Sequence, residues 1–126
     1  LSHEGYISRG QAALEAGQVS LAKRMFEQAL FIRPSSAPAH TGLGFVALEK
    51  GRPQLAVEHF QAAARGGNDD AYIGLGDAYR RLGRNRDALR AYQSYLTRSP
   101  NGDQLSIARA QVERLGEEIS KRGKNP

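Results

Sequence analysis

The chain has 126 residues, no cysteine, and a net charge of +5 from 14 arginines and 4 lysines set against 13 acidic residues. That length supports about one domain, which at this size buries roughly two-thirds of the surface its unfolded form exposes and needs no covalent staple. The missing cysteine removes disulfides, thiolate zinc sites and thiol nucleophiles together, and no apolar run reaches the ~20 residues of a membrane span, so membrane insertion is not expected.

Self-similarity orders the rest. Aligning Gly10, Gly44 and Gly76 superposes most of the chain on itself: a ring precedes each glycine by four residues (Tyr6, His40, Tyr72). Seven residues after each comes another glycine (Gly17, Gly51, Gly83), and twelve after it an alanine (Ala22, Ala56, Ala88). An aromatic follows at sixteen (Phe26, Phe60, Tyr92), and Pro34, Asn68 and Pro100 stand at twenty-four. From Tyr6 to Ala16, small and apolar residues recur at three- and four-residue steps, which predicts a helix stopped by a left-handed Gly17. Ala22, Met25, Phe26, Ala29 and Leu30 predict a second helix, ended before Pro34. Gly10, Ala13, Ala22 and Ala29 let the two backbones approach, and Phe26 fills the space beyond. The same hairpin is predicted from Gly44 and from Gly76.

The second unit is two residues short, because Gly44 and Gly76 are 32 apart where Gly10 and Gly44 are 34 apart. The loss falls at Arg65-Gly66-Gly67-Asn68, predicting an early helix end at a glycine cap and a next helix begun by Asn68 or Asp69. After Pro100, Leu105, Ala108, Val112, Leu115 and Ile119 step by three and four along one face. They predict a single capping helix over 103–121, with Asp103 near its start, Lys121 and Arg122 near its end, and 122–126 frayed.

The 34-residue period and the ring, Leu-Gly, Ala, aromatic and Pro places resemble the tetratricopeptide repeat family over about residues 3–102. Arg9, where the other copies have Leu43 and Leu75, and Tyr95, in place of a small residue, depart from the pattern. Arg9 implies a wetter outer side on the first helix. The resemblance implies an all-α, right-handed superhelix of about seven helices in one domain: repeats over 3–36, 37–68 and 69–102, then the cap. It also implies a concave groove lined by first-helix residues outside the packing signature. Copy by copy these are Ile7, Gln11, Leu14 and Glu15; Thr41, Phe45, Leu48 and Glu49; and Ile73, Asp77, Arg80 and Arg81. Family members that clamp a terminal carboxylate use Lys and Asn where Ile7 and Gln11 stand, so that clamp is not expected. Ile7, Leu14, Phe45 and Leu48 form an apolar strip beside Asp77, Arg80 and Arg81, which suits a protein or peptide with an apolar anchor and an acidic flank. In the alternative, Phe45 and Leu48 pack on neighbouring repeats.

No constellation for chemistry emerges. Gly74-x-Gly76 lies within a predicted helix and lacks the third glycine of a dinucleotide loop. Its expected roles are close packing at Gly76 and, at Gly74, room for a ligand in the groove. His3, His40 and His59 share no ligand spacing. Ser35, Ser36, Ser94, Ser99 and Ser106 have no partnered histidine, and Asp69-Asp70 and Glu117-Glu118 read as helix-end residues. The sequence therefore predicts no catalytic residue, no metal site and no cofactor. It predicts a protein-binding scaffold or adaptor, not an enzyme. The other readings are a self-associating spacer forming a homo-oligomer and, less favoured, a nucleic-acid surface over Arg80–Arg90, which Asp77 and Asp87 interrupt. The first residue is Leu1, not Met, so the expectation is a piece of a longer protein from a soluble compartment, cytoplasmic or periplasmic. The run from Tyr95-Leu96 through Pro100-Asn101-Gly102 is similar to endings of bacterial envelope repeat proteins.

Overall fold

A computed structural model describes residues 1–124. They form seven helices and no strand: α1 (His3–Glu15), α2 (Val19–Ile32), α3 (Ala37–Glu49), α4 (Pro53–Arg65), α5 (Ala71–Arg81), α6 (Asn85–Arg98) and α7 (Leu105–Lys124). Helices α1–α2, α3–α4 and α5–α6 pair as hairpins, each packs on the next, and α7 packs on α6.

Local chemistry sets the ends. Ser2 and Ser36 cap α1 and α3, their hydroxyls accepting from the N–H groups of Gly5 at 3.0 Å and Ala39 at 3.2 Å. Every tight turn inside a hairpin closes on a glycine with positive φ, 75° at Gly17, 70° at Gly51 and 75° at Gly83. In each, the next residue's N–H reaches back to the carbonyl five residues earlier, as Gln18 does to Ala13 at 2.8 Å. The short unit ends α4 one residue early, and Gly67 (φ 90°) makes the reversal. Asn68 then opens the turn, its side-chain oxygen accepting from the Asp70 N–H at 3.1 Å, and the helix proper begins at Ala71. Asp70 gives no side-chain cap, and Asp69 instead accepts from Arg98 at 3.1 Å and Ser99 at 3.0 Å. The expected capping role is thus absent at Asp70 and replaced at Asp69 by a tie to the end of α6.

The core is a row of rings set between helices. Phe26, Phe60 and Tyr92 are wholly buried. A Cβ added at Gly10 or at Gly42 would fall under 3.0 Å from the Phe26 ring, and one at Gly44 or Gly74 equally close to Phe60. Each phenylalanine is thus held between a glycine of its own hairpin and a glycine of the next. Gly76 serves Tyr92 in the same way, and Ala108 of α7, fully buried in the same cluster, stands on the other side of the count, sixteen residues after Tyr92. Gly74 therefore does not open room for a ligand, as expected from sequence: the Phe60 ring occupies that space.

The capping helix is shifted along the chain from the expected 103–121: it begins at Leu105, so Asp103 lies before it, and it runs on to Lys124. Arg122, Gly123 and Lys124 are helical, not frayed, and residues 125–126 lie outside the described ones. Glu117 and Glu118 are exposed within α7, not at its end. Tyr95, the large residue at a small position, is 1 % exposed, and its hydroxyl accepts from the Gln104 N–H at 3.0 Å, pinning the turn into α7.

Candidate functional site

The first helices α1, α3 and α5 bring the twelve predicted groove residues to different fates. Gln11, Leu14, Thr41 and Phe45 line one cavity of about 260 Å³, together with Asn68, Asp70 and Gln104 from the connecting turns. Phe26 and Gly42 reach its wall from the core. Asn68 donates from Nδ2 to the Thr41 hydroxyl at 2.8 Å, and that hydroxyl donates to the Ala37 carbonyl at 2.8 Å, so the polar edge is fixed. Glu15 and Glu49 are exposed at the ends of α1 and α3.

Ile7, Leu48 and Ile73 are buried, at 8 %, 5 % and 6 % exposure, and are members of the core clusters. Phe45 is half-buried and meets Phe60 edge-on, with centroids 5.0 Å apart. The apolar strip read from sequence is thus largely used in packing. A helix held by its hairpin mate, by the hairpin before and by neighbouring first helices has little apolar face left over.

The basic end is also engaged internally. Asp77 accepts from the Tyr92 hydroxyl and lies 3.6 Å from the Arg80 guanidinium. Burial, and then the hydrogen bond to Asp77, push the Tyr92 phenol well above its ordinary pKa. Arg81 donates to the Leu48 carbonyl at 3.0 Å, joining α5 to the end of α3. Arg84 and Arg90 both pair with Asp87, at 2.8 and 3.8 Å.

Two histidine contacts escaped the sequence. His3 Nε2 lies 2.6 Å from Ser36 Oγ, both side chains being 6 % exposed, and its Nδ1 is 3.3 Å from the exposed Glu4. The pattern has the members of a nucleophile, base and carboxylate but not the surroundings. Ser36 Oγ is already occupied by the Ala39 N–H, and Pro38 deletes a donor from the helix start where an oxyanion would need two. The pair is a tether between the first two hairpins. His40 and His59 face each other with their Nδ1 atoms 3.1 Å apart and ring centroids 5.4 Å apart. His40 Nε2 lies 3.1 Å from the Pro34 carbonyl and donates to it, which leaves His40 Nδ1 to accept from His59. The separation of the centroids is about that of the two nitrogens plus the two ring radii, so the His59 N–H and the His40 lone pair lie along one line. This suits a shared proton rather than a chelated ion. No group of three or more metal-ligating side chains occurs among the described residues.

Family models described as tetratricopeptide repeat match residues 7–71 and 47–112. The chain belongs to the tetratricopeptide repeat family, whose members are in general interaction scaffolds rather than enzymes. Its fold is an all-α solenoid of such repeats. Among solved structures it is similar to the Arabidopsis OM64 TPR domain, at 23% identity and a TM-score of 0.80, covering 90% of this chain and 93% of that one. The Sgt2 TPR domain from Aspergillus fumigatus superposes with a TM-score of 0.85 at 22% identity, covering 98% of this chain and 84% of that one. A chain of the APC/C hetero-tetramer Cut9-Hcn1 matches at 23% identity and a TM-score of 0.82, with 94% of this chain covered but 24% of that one. These identities speak for the fold alone. No protein of curated function matches the sequence. No helix among the described residues is long and apolar enough to cross a membrane.

Proposed function

We propose that this chain is an adaptor module that holds a peptide or protein segment in its concave groove, as part of a larger bacterial protein and without catalysis of its own. The supporting observation is the convergence of Gln11, Leu14, Thr41 and Phe45, from two successive first helices, on one cavity. Leu14 and Phe45 offer an apolar seat for one anchor side chain. Gln11, Asn68 and Gln104 are carboxamides that both donate and accept, as a peptide backbone requires. An acidic flank fits the α5 end of the groove. Asp77 already offsets Arg80 there, so the attraction rests on Arg81. Nucleic acid fits less well, because Arg80, Arg84 and Arg90 each face an aspartate of the same chain.

The test is a quantitative pull-down with the intact chain and with Gln11→Arg and Thr41→Arg variants that keep the parent Tm. Loss of the same partners from both variants is expected; retention of those partners rejects the groove.

A further inference from the structure

On the outer side of the stack, between α2 and α4, lies a second cavity of about 260 Å³ with α3 as its floor. Leu30, Leu43, Val46 and Leu55 make its walls apolar, and the buried Ala47 lies at its base. The exposed Lys23, Lys50 and Arg52 surround the mouth, and none pairs with a carboxylate among the described residues. Glu27 and the half-buried His59 complete the lining. The volume falls below the roughly 300–1,000 Å³ of sites for drug-sized ligands and matches one large side chain.

One hairpin along, the corresponding place is filled. Counted from the aligned glycines, Ala47 corresponds to Tyr79, Glu27 to Gln61 and Arg52 to Arg84. Tyr79 packs against the core of the second and third hairpins; its hydroxyl accepts from Gln61 Nε2 at 3.2 Å, and the Arg84 guanidinium lies 4.8 Å from its ring centroid. The α2–α4 cleft keeps a hydrogen-bonding residue and the arginine but has alanine in place of the ring, and its Lys23, Lys50 and His59 stand where the next junction has Val57, Leu82 and Ala91.

We propose that the α2–α4 cleft is a docking slot for an aromatic side chain, tyrosine above all, presented by an acidic segment of a partner protein. The ring takes the space that Ala47 leaves, the phenol donates to the Glu27 carboxylate, and Arg52 covers the ring face as Arg84 covers Tyr79. Lys23 and Lys50 meet acidic residues on either side of the anchor. The slot is on the far side of the helices from the concave groove and does not depend on the groove reading.

The experiment is fluorescence anisotropy of the intact chain with a labelled Asp-Glu-Tyr-Glu-Asp peptide and its Tyr-to-Ala version. The tyrosine peptide binds more tightly by roughly tenfold or more, the scale of an aromatic anchor. Arg52→Gln weakens it by about two- to five-fold, the cation–π range at an exposed site. Ala47→Tyr plugs the slot from within and abolishes binding while keeping the parent Tm. Equal affinity for the two peptides, or binding that survives in folded Ala47→Tyr, overturns the proposal. Should Ala47→Tyr unfold the chain, Lys23→Glu with Lys50→Glu reverses the charge at exposed positions, and undiminished affinity for the acidic peptide overturns it equally. Self-association abolished by both Ala47→Tyr and Phe31→Ala would give the slot to a second copy, through the 86 % exposed Phe31 ring, and reject the partner segment. Binding that is lost in Gln11→Arg but survives in folded Ala47→Tyr would place the peptide in the concave groove instead, so the two readings fail separately.

Discussion

Phe26 sits between Gly10 and Gly42, and Phe60 between Gly44 and Gly74, so the first and second inter-hairpin junctions share one packing rule. Their edges differ. The first is crossed by a four-residue connection, Arg33 to Ser36, tied by His3 to Ser36 and by Glu4 to Arg33 at 3.1 Å. The second reverses at Gly67 and is tied by Asn68 to Thr41 and by Arg98 and Ser99 to Asp69. On the outer side, the first junction is open at Ala47 and the second is closed by Tyr79. In a repeat stack the shared interior sets how units add, and the unshared edges are where one unit acquires its own chemistry.

The comparison breaks first if the two rings are not equivalent. Phe26→Ala and Phe60→Ala should each cost about 3–5 kcal/mol in urea unfolding; a clear inequality would mean that one junction carries less of the stack. Next come Gly42→Ala and Gly74→Ala, which push a methyl into a ring and should cost about 1–3 kcal/mol each. An unchanged midpoint for Gly74→Ala would restore that position as open space in the groove. Tyr79→Ala sharpens the contrast at the outer clefts. It should destabilise the chain by about 1–3 kcal/mol and leave the stoichiometry for the acidic tyrosine peptide at one, because Val57 and Leu82 stand where the α2–α4 cleft has Lys23 and Lys50. Ser36→Ala removes the cap and the His3 tether at the first junction only, for about 1 kcal/mol.

The smallest effect is pH-dependent. Burial, and then the neighbouring His40, hold the His59 pKa below its ordinary 6.5, with Glu58 and Glu27 partly opposing. The folded state therefore binds this proton less readily than the unfolded chain. The stability due to neutral His59 is complete above about pH 6.5 and is lost as pH falls through the lower, folded value. Thermal melts from pH 7.5 to 5.5 should show a decline that His59→Gln reduces.

The hairpins were legible because aligned glycines, alanines and rings report contacts within about thirty residues, where helical period fixes which faces meet. Gly17, Gly51 and Gly83 mark turns for the same local reason. What stayed hidden depends on two hairpins at once. Gly74 has no ring partner in its own unit, and only the preceding unit's Phe60 explains it. Ile7, Leu48 and Ile73 look unused on a helix considered with its mate alone and are buried once the neighbours are added. The His3 contact with Ser36 spans 33 positions and joins an N-terminal residue to the next unit's cap, with no local pattern to announce it. Of the candidate groove, Gln11, Leu14, Thr41 and Phe45 were placed together by first-helix register, whereas Asn68, Asp70 and Gln104 enter from turns whose course depends on the stack.

Each ring belongs equally to its own hairpin and to the one that follows. The packing piece is therefore a ring with the glycine on either side, reaching from one hairpin into the first helix of the next. Cutting the chain at a repeat boundary parts a ring from the glycine that follows it, and cutting at the turn inside a hairpin parts it from the glycine that precedes it. Truncations and grafts of this chain should therefore keep each ring with both of its small partners, Ala108 being retained wherever Tyr92 is kept.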